Sequence, residues 1–199
     1  VYKRQPVKLT VNGTAMFYGF VFKKKRDKGG TIDVVAYDQL RYLKNKDTIT
    51  EEGLKASDLL KRIATDFRLN LGTVEDTGYT LETIVEENQT LFDMIQNALD
   101  ETLTNTKQLY VLYDDAGKLT LKNINTMKLN LLIDEETRKL TIQNAFGDVR
   151  VRAGSAVVVA LNLGDIVTNN YMVVNKVTHT FRGDEHMMEL DLIGGEFIA

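Results

Sequence analysis

Cysteine and tryptophan are absent from this 199-residue sequence, and proline occurs once, at Pro6. Without cysteine the chain forms no disulfide and offers no thiolate nucleophile or metal ligand. No run approaches the roughly 18 apolar residues that a membrane-spanning helix needs. The opening residues, VYKRQPVKL, lack the apolar core of a secretion signal. We therefore expect a protein that is made and kept in a cytoplasm unless a larger assembly carries it out.

Histidine and serine, two residue types common in catalysis, occur only twice each. Ser57 is predicted to cap a helix, and Ser155 opens a predicted strand. His179 and His186 flank a turn, and their rings share one face if Phe181 pairs with His186. Two histidines fall short of the three protein ligands typical of a catalytic metal site. With no serine elbow, phosphate loop or HExxH motif present, we expect no metal, no cofactor and no enzymatic activity.

Adjacent acidic residues do not provide a glycosidase-like pair. Neighbours such as Glu86 and Glu87 point to opposite sides of a strand, so they cannot flank one scissile bond. Asp93 and Asp115, however, could meet in the folded chain. A hydrolase that uses these scattered acids therefore remains an open alternative.

Charge is distributed unevenly along a chain whose formal net charge is −3. Residues 1–50 carry 11 Lys and Arg against 4 Asp and Glu, whereas residues 51–127 carry 7 against 14. Such asymmetry favours contacts between oppositely charged surfaces of copies or partners, or a polyanion near the N-terminal part.

The order of predicted elements indicates an α+β protein in three parts. Residues 1–50 are rich in β-branched and aromatic residues, and RDKGG predicts a hairpin turn. Residues 51–127 predict an α/β unit of two helices and a hairpin, and residues 128–199 predict five short strands. We expect the first and last parts to be small antiparallel β-barrel or sandwich parts that flank the α/β unit. One barrel shared by the two parts, with the middle part inserted, is an alternative.

Helical periodicity marks the two helices of the middle part. The first spans KASDLLKRIATDF with Ser57 as its cap, and the second begins at Thr90 with Asp93 three residues on. QLYVLYDDAGKLTLKN predicts a hairpin that turns at Asp114–Gly117. The apolar stripes predict that these helices are buried on one face by Leu59, Leu60, Ile63, Ala64 and Phe67, and by Leu91, Met94, Ile95, Ala98 and Leu99.

The densest basic run follows three alternating aromatic residues, Tyr18, Phe20 and Phe22. This combination suits a nucleic-acid surface, but aromatic residues on one face are also typical of a core-facing strand with lysines at its exposed end. We expect a nonspecific electrostatic contact surface formed by Lys23, Lys24, Lys25 and Arg26.

The stretch AYDQLRYLKNKDTI interrupts the alternation of the preceding strand. A helical turn that begins near Asp38 places Tyr37, Leu40 and Leu43 or Lys44 on one side. Arg41 and the lysines are then expected to face solvent or a neighbour. It predicts a short amphipathic plug over a barrel mouth.

This stretch resembles the signature of the PBSX-type prophage tail proteins, the baseplate hub family of contractile phage tails and related bacteriocins. The resemblance continues through ASDLLKRIATDF, the second helix, YVLYDDAGKLTLKN, NAFGDVRVRAGSAVVV and HMMELDL, and so covers nearly the whole chain. The signature residues are Tyr37, Asp38, Gln39, Leu40, Arg41, Tyr42 and Leu43.

The resemblance implies a structural hub that forms trimeric rings and joins a tail tube to a spike. The implied partners are further copies of the chain and the tail tube, spike and baseplate proteins. DNA would be only passing cargo, and no membrane is involved. The implied location is the cytoplasm of a bacterial host during assembly and then the tail of the particle. One departure lies between about Asp134 and Thr137, where related sequences carry a further stretch.

A peptidoglycan-binding module of a tail tip is the alternative function. The segment NQTLFDMIQNAL, which follows a strand rich in Thr and Glu, loosely resembles the helical part of small cell-wall-binding repeats.

Overall fold

A computed structural model describes residues 5–135, 141–162 and 167–193. Its contacts group the chain into two compact units, Val1–Asn123 and Ile124–Ala199. The three-part division at residues 50 and 127 stays a prediction about domains. The departure expected between about Asp134 and Thr137 lies mostly outside the described residues.

The first unit contains three small sheets. Its elements are β1 (Pro6–Val11), β2 (Thr14–Arg26), β3 (Ile32–Tyr37), a 3₁₀ helix (Gln39–Lys44), β4 (Lys46–Lys55), α1 (Ala56–Asp66), β5 (Leu71–Val74), β6 (Thr80–Thr90), α2 (Leu91–Thr106), β7 (Tyr110–Asp114) and β8 (Leu119–Asn123). The sheets have the orders β1-β2-β3, β4-β6 and β5-β8-β7. We call the 3₁₀ helix Gln39–Lys44 the signature helix.

One hydrophobic core joins the helices of this unit to its strands. The predicted stripes are confirmed, because Leu59, Leu60 and Ile63 of α1 are fully buried and contact the same core as Met94 of α2. Thr90 caps α2, since its hydroxyl accepts a hydrogen bond from the Asp93 amide at 3.1 Å. The predicted hairpin is also confirmed as β7 and β8.

Ser57 does not cap α1, so that prediction is wrong. The cap position is Lys55, whose side chain makes no capping hydrogen bond. Ser57 instead lies fully buried in the first turn, where its amide donates to the Thr77 hydroxyl at 3.3 Å. Ser57 therefore forms a hydrogen bond inside the unit and does not satisfy the unpaired amides at the start of α1.

The aromatic face of β2 is only partly buried. Tyr18 and Phe20 are half-buried, whereas Val21, on the other face, is 3% exposed and Phe22 is 46% exposed. The register between β2 and β3 shifts between Val21 and Lys23, which leaves Phe22 without a partner on β3. At Gly19 an added Cβ would lie 2.4 Å from the Tyr37 carbonyl oxygen, so only glycine allows the strands to approach this closely.

The second unit is one five-stranded sheet with the order β10-β13-β12-β11-β9. Its elements are a second 3₁₀ helix (Ile124–Met127), β9 (Lys128–Glu135), β10 (Thr141–Phe146), β11 (Ala156–Asn162), β12 (Val167–Arg182) and β13 (Glu185–Ile193). The five predicted strands are confirmed, but β9 pairs with β11 in parallel, so the sheet is mixed.

The α+β class is therefore confirmed, but the barrel form is not observed: no sheet closes into a barrel within residues 5–135, 141–162 and 167–193. The signature helix accordingly plugs no barrel mouth. Neither α-helix in these ranges combines the length and apolar character that crossing a membrane requires.

Candidate interaction site

The signature helix begins immediately after β3 because Asp38 caps it. The Asp38 backbone is extended, and its carboxylate accepts a hydrogen bond from the Leu40 amide at 3.0 Å. Aspartate is among the preferred capping residues because its oxygen satisfies an amide that the helix leaves unpaired.

Three contacts fix the inner side of the signature helix. The Gln39 amide nitrogen donates to the Asn70 carbonyl at 3.0 Å, and its oxygen accepts from the Asn70 amide at 3.0 Å. Leu43 is fully buried in the core. The Leu91 amide, at the start of α2, donates to the Asn45 carbonyl at 2.9 Å. These contacts tie the signature stretch to the start of α2.

The outer side of the signature helix forms a pocket with β2 and α2. Tyr37 and Phe92 are 45% and 42% exposed and stand at its rim. The pocket has a volume of about 860 Å³ and is mostly apolar. We call it the Arg41 pocket; it is lined by Phe22, Tyr37, Asp38, Leu40, Arg41, Lys44, Thr90, Phe92 and Asp93.

Arg41 is held against two aromatic rings in this pocket. Its guanidinium carbon lies 3.7 Å from the centre of the Phe22 ring and 5.3 Å from that of Tyr37. Stacking on aromatic faces stabilises a guanidinium and leaves its N–H groups at the edge available for hydrogen bonds. In the part of the chain that the structure describes, no carboxylate lies within 4.0 Å of the Arg41 guanidinium.

Two aspartates lie close together behind the signature helix. Burial raises the pKa of Asp38, the negative charge of Asp114 raises it further, and the Leu40 amide partly offsets both. Burial likewise raises the pKa of Asp114, although the Gly117 amide, which donates to one of its oxygens at 2.6 Å, and hydrogen bonding by Gln39 partly offset the rise. Its other oxygen, Oδ2, is buried without a hydrogen-bond partner among the described residues. The fold thus disfavours the charged form of both carboxyl groups.

The predicted basic surface lies at the far end of the hairpin formed by β2 and β3. Lys23 through Arg26 are all exposed, and the strand opposite them carries three exposed apolar residues, Ile32, Val34 and Val35. Lys23 follows the pocket residue Phe22 in the sequence but does not line the Arg41 pocket. Its role as an electrostatic contact surface stays a prediction.

The two histidines pair as the sequence predicts, because Phe181 lies opposite His186. His179 Nδ1 and His186 Nε2 are 2.9 Å apart, and His179 Nε2 lies 3.0 Å from the Val151 carbonyl oxygen. A carbonyl only accepts, so the neutral His179 carries its proton on Nε2 and Nδ1 accepts from His186. Burial, first among several causes, lowers the pKa of His179.

No group of three or more histidine, aspartate or glutamate side chains in the described ranges is arranged to hold a metal ion. Of the two acids considered for a hydrolase, Asp93 has a local partner, because its carboxylate accepts a hydrogen bond from the Thr90 hydroxyl at 2.6 Å. Asp115 lies in the β7–β8 turn, where its backbone amide donates to the Lys118 carbonyl.

Sequence reasoning found the signature stretch but missed three of its neighbours. Phe22 was interpreted as part of a core-facing strand or of a nucleic-acid surface, Phe92 was assigned no role, and Asp114 was treated as a turn residue. These residues lie close together because β2, α2 and β7 pack around the signature helix, and no local pattern in the sequence predicts that packing.

Comparison with protein families gives one matching family, described as YQBQ-like, over residues 3–138 and 132–193. Two curated relatives from Bacillus subtilis (strain 168), phage-like element PBSX protein XkdQ and the uncharacterized protein YqbQ, are each 38% identical over 112 residues. Each match covers 55% of this chain and 34% of the relative, so the chain matches about a third of the length of these relatives.

Solved structures with a similar fold include several tail proteins. The 43 kDa tail protein of prophage MuSo2 from Shewanella oneidensis matches with a TM-score of 0.71 and 8% identity, covering 100% of this chain and 86% of that protein. A tail protein from Neisseria meningitidis MC58 matches with a TM-score of 0.64 and 10% identity, over 96% of this chain and 83% of that one.

A third similar structure is the E. coli c3393 protein, described as a component of the type VI secretion system with structural similarity to the bacteriophage T4 tail proteins gp27 and gp5. It has a TM-score of 0.59 and 8% identity, over 96% of this chain and 64% of that protein. At these identities the likeness concerns the fold alone.

Proposed function

Because this chain belongs to the YQBQ-like family, we propose that it is a structural component of a phage or phage-like tail, and within it the hub that joins the tail tube to the spike. The observation that carries the proposal is the likeness of its fold, over its whole length, to the 43 kDa tail protein of prophage MuSo2. A relative, XkdQ, is named as a protein of the phage-like element PBSX.

In this role the chain assembles with other proteins and does not turn over a substrate. Its partners are further copies of itself, most simply three in a closed ring, and the tube, spike and baseplate proteins on either side. A ring of identical subunits needs self-complementary or head-to-tail surfaces. The exposed aromatic and arginine side chains of the Arg41 pocket are the residue types enriched in such contacts. DNA passes through the tail only as cargo.

The molar mass in solution tests ring formation. We expect light scattering on a size-exclusion column to give about three times the 22.5 kDa of one chain. A second assay measures binding of the purified chain to the tail tube and spike proteins of the same particle. A chain that is monomeric at every concentration and binds neither protein would contradict the hub role.

Purified cell wall provides a control for the alternative function. A hub should remain in the supernatant when the wall is sedimented, whereas a peptidoglycan-binding module should sediment with it. Sedimentation with the wall together with a monomeric mass would favour the binding module.

A further inference from the structure

The Arg41 pocket combines a cation without a carboxylate partner and an apolar aromatic wall. Arg41 is stacked on Phe22, and Lys44 lines the same pocket. Guanidinium groups bind carboxylates through two parallel hydrogen bonds, and aromatic walls bind apolar side chains. The chemistry that fits is therefore a carboxylate next to an exposed apolar side chain on a protein segment.

Nucleic acid fits this pocket less well. Phosphates would pair with Arg41 and Lys44, but Asp38 and Asp93 also line the pocket, and they oppose the several charges of a polyanion more strongly than the single carboxylate of a protein segment. Single-strand binding uses aromatic rings for stacking, whereas Arg41 already covers the Phe22 ring at 3.7 Å. A protein partner suits the mixed lining better.

The chain itself presents a segment of the required chemistry on β6. Val85 is 67% exposed, and Glu87, two residues on, is also exposed. Val85 lies opposite Thr50, and Glu87 lies in the register break that follows Glu86, next to Asn88, whose backbone has a φ of 50°. Glu86 lies between them, half-buried, and its carboxylate accepts from the Asn97 amide at 2.8 Å. We call Val85 and Glu87 the β6 patch.

The surroundings of the β6 patch are open and acidic. Strand β6 pairs with β4 alone in its sheet, so its second edge has no strand partner among the described residues. Thr50, opposite Val85, is exposed, as is Glu52, which lies opposite Thr83. A negative sheet face with an apolar centre is complementary to the pocket, which is basic at Arg41 and Lys44.

We propose that the Arg41 pocket of one copy binds the β6 patch of a second copy, with Glu87 paired to Arg41 and Val85 packed against Phe92. This contact rests on the proposed function and specifies one of the surfaces through which the copies join. Because the two surfaces differ, the contact can be repeated head to tail and closes a ring when the rotation permits. It also uses the charge asymmetry of the chain, in which residues 1–50 are basic and residues 51–127 acidic.

Reversing the two charges tests the pairing. Arg41→Glu and Glu87→Arg should each raise the concentration at which half of the chain is assembled by roughly tenfold or more, because each places like charges together. The double variant Arg41→Glu/Glu87→Arg should recover most of the lost assembly, since every contact again pairs opposite charges. A purely structural role for Arg41 would not produce this rescue.

Two matched controls reverse exposed strand charges elsewhere. Lys8→Glu on β1 and Glu189→Arg on β13 should assemble as the parent chain does. Circular dichroism and thermal melting should show all variants folded. The proposal would be overturned if both single variants assembled as the parent chain does. It would also be overturned if the single variants lost assembly and the double variant did not recover it. In either case the proposed hub role would not be affected.

Cysteine cross-linking tests the geometry independently, because the natural chain has no cysteine. A mixture of Phe92→Cys and Val85→Cys chains should form a disulfide-linked pair that neither variant forms alone. Absence of this pair in an assembled mixture would contradict the contact.

A parent chain that never self-associates would also overturn the proposed contact, and the hub role would then depend on tube and spike binding. Loss of DNA binding in Arg41→Glu with assembly intact would reassign the pocket to nucleic acid.

Discussion

At the residue scale, the fold disfavours the charged form of Asp38 and Asp114, the two aspartates behind the signature helix. Burial is the first cause for both Asp38 and Asp114, and Asp114 has an oxygen without a partner in the described part of the chain. A raised pKa in the folded state means that the fold binds the proton more tightly than the unfolded chain does. Ionisation of either group therefore costs stability as the pH rises, and the cost disappears below the pKa of the unfolded chain.

Asp114→Asn should stabilise the first unit at neutral pH. The amide oxygen can still accept the Gly117 hydrogen bond, and the unfavourable charge is removed. We expect the melting temperature to rise by roughly 1–3 °C, with the gain shrinking as the pH falls towards 4 and the parent carboxyl is protonated.

Thermal melting between pH 4 and 8 measures this effect. Asp33→Asn, on the exposed strand β3, removes one negative charge as a matched control and should show no comparable gain. An Asp114→Asn chain that melts below the parent at every pH would mean that the carboxylate makes favourable contacts in the fold.

At the element scale, regular periodicity was the reliable signal in the sequence. The apolar stripes located both helices, and the turn at Asp114–Gly117 located a hairpin. The Ser57 cap was wrong because buried Thr77 provides the serine with a partner. The parallel pairing of β9 with β11 and the bulge after Val21 depend on residues distant in the sequence, so local propensity could not predict them.

Sequence reasoning predicted two parts of the candidate site, the signature stretch and the basic run, but it did not predict the Arg41 pocket. Arg41 was expected to face solvent or a neighbour. Its stacking on Phe22 depends on how β2 packs beside the signature helix, and the position of Phe92 depends on α2 starting beside Asn45. Both are consequences of tertiary packing.

Gln39→Ala should destabilise the first unit, because Gln39 is the side chain that ties the signature helix to the backbone of Asn70. Removing it leaves a partly buried amide and carbonyl without their partner, which costs about 1–3 kcal/mol. Denaturant unfolding measures the loss.

Tyr42→Ala provides the comparison on the same helix. Tyr42 is exposed, so its removal should change the free energy of unfolding by no more than about 0.5 kcal/mol. Equal stability of the Gln39 and Tyr42 variants would show that the paired hydrogen bonds to Asn70 do not hold the signature helix.

At the scale of the whole molecule, the chain comprises two compact units, each with its own core. The basic and the acidic surfaces that the proposed contact uses both lie in the first unit, since Arg41 and Glu87 precede Asn123. One unit can therefore present both halves of a head-to-tail interface. The net charge of −3 conceals this because the charges of residues 1–50 and 51–127 cancel.

Assembly through such a contact should weaken with salt but persist. Raising the ionic strength from 0.1 M to 1 M shortens the Debye length from about 10 Å to about 3 Å, which screens the exposed pairs. The apolar packing of Val85 is not screened, so we expect the midpoint of assembly to move by roughly tenfold and not to vanish. Light scattering over a dilution series at each salt concentration measures the shift.

The double charge reversal should show the same salt dependence as the parent because it keeps one pair per contact. Assembly that strengthens with salt would mean that apolar burial dominates the interface and that segregated charge does not set how the copies meet.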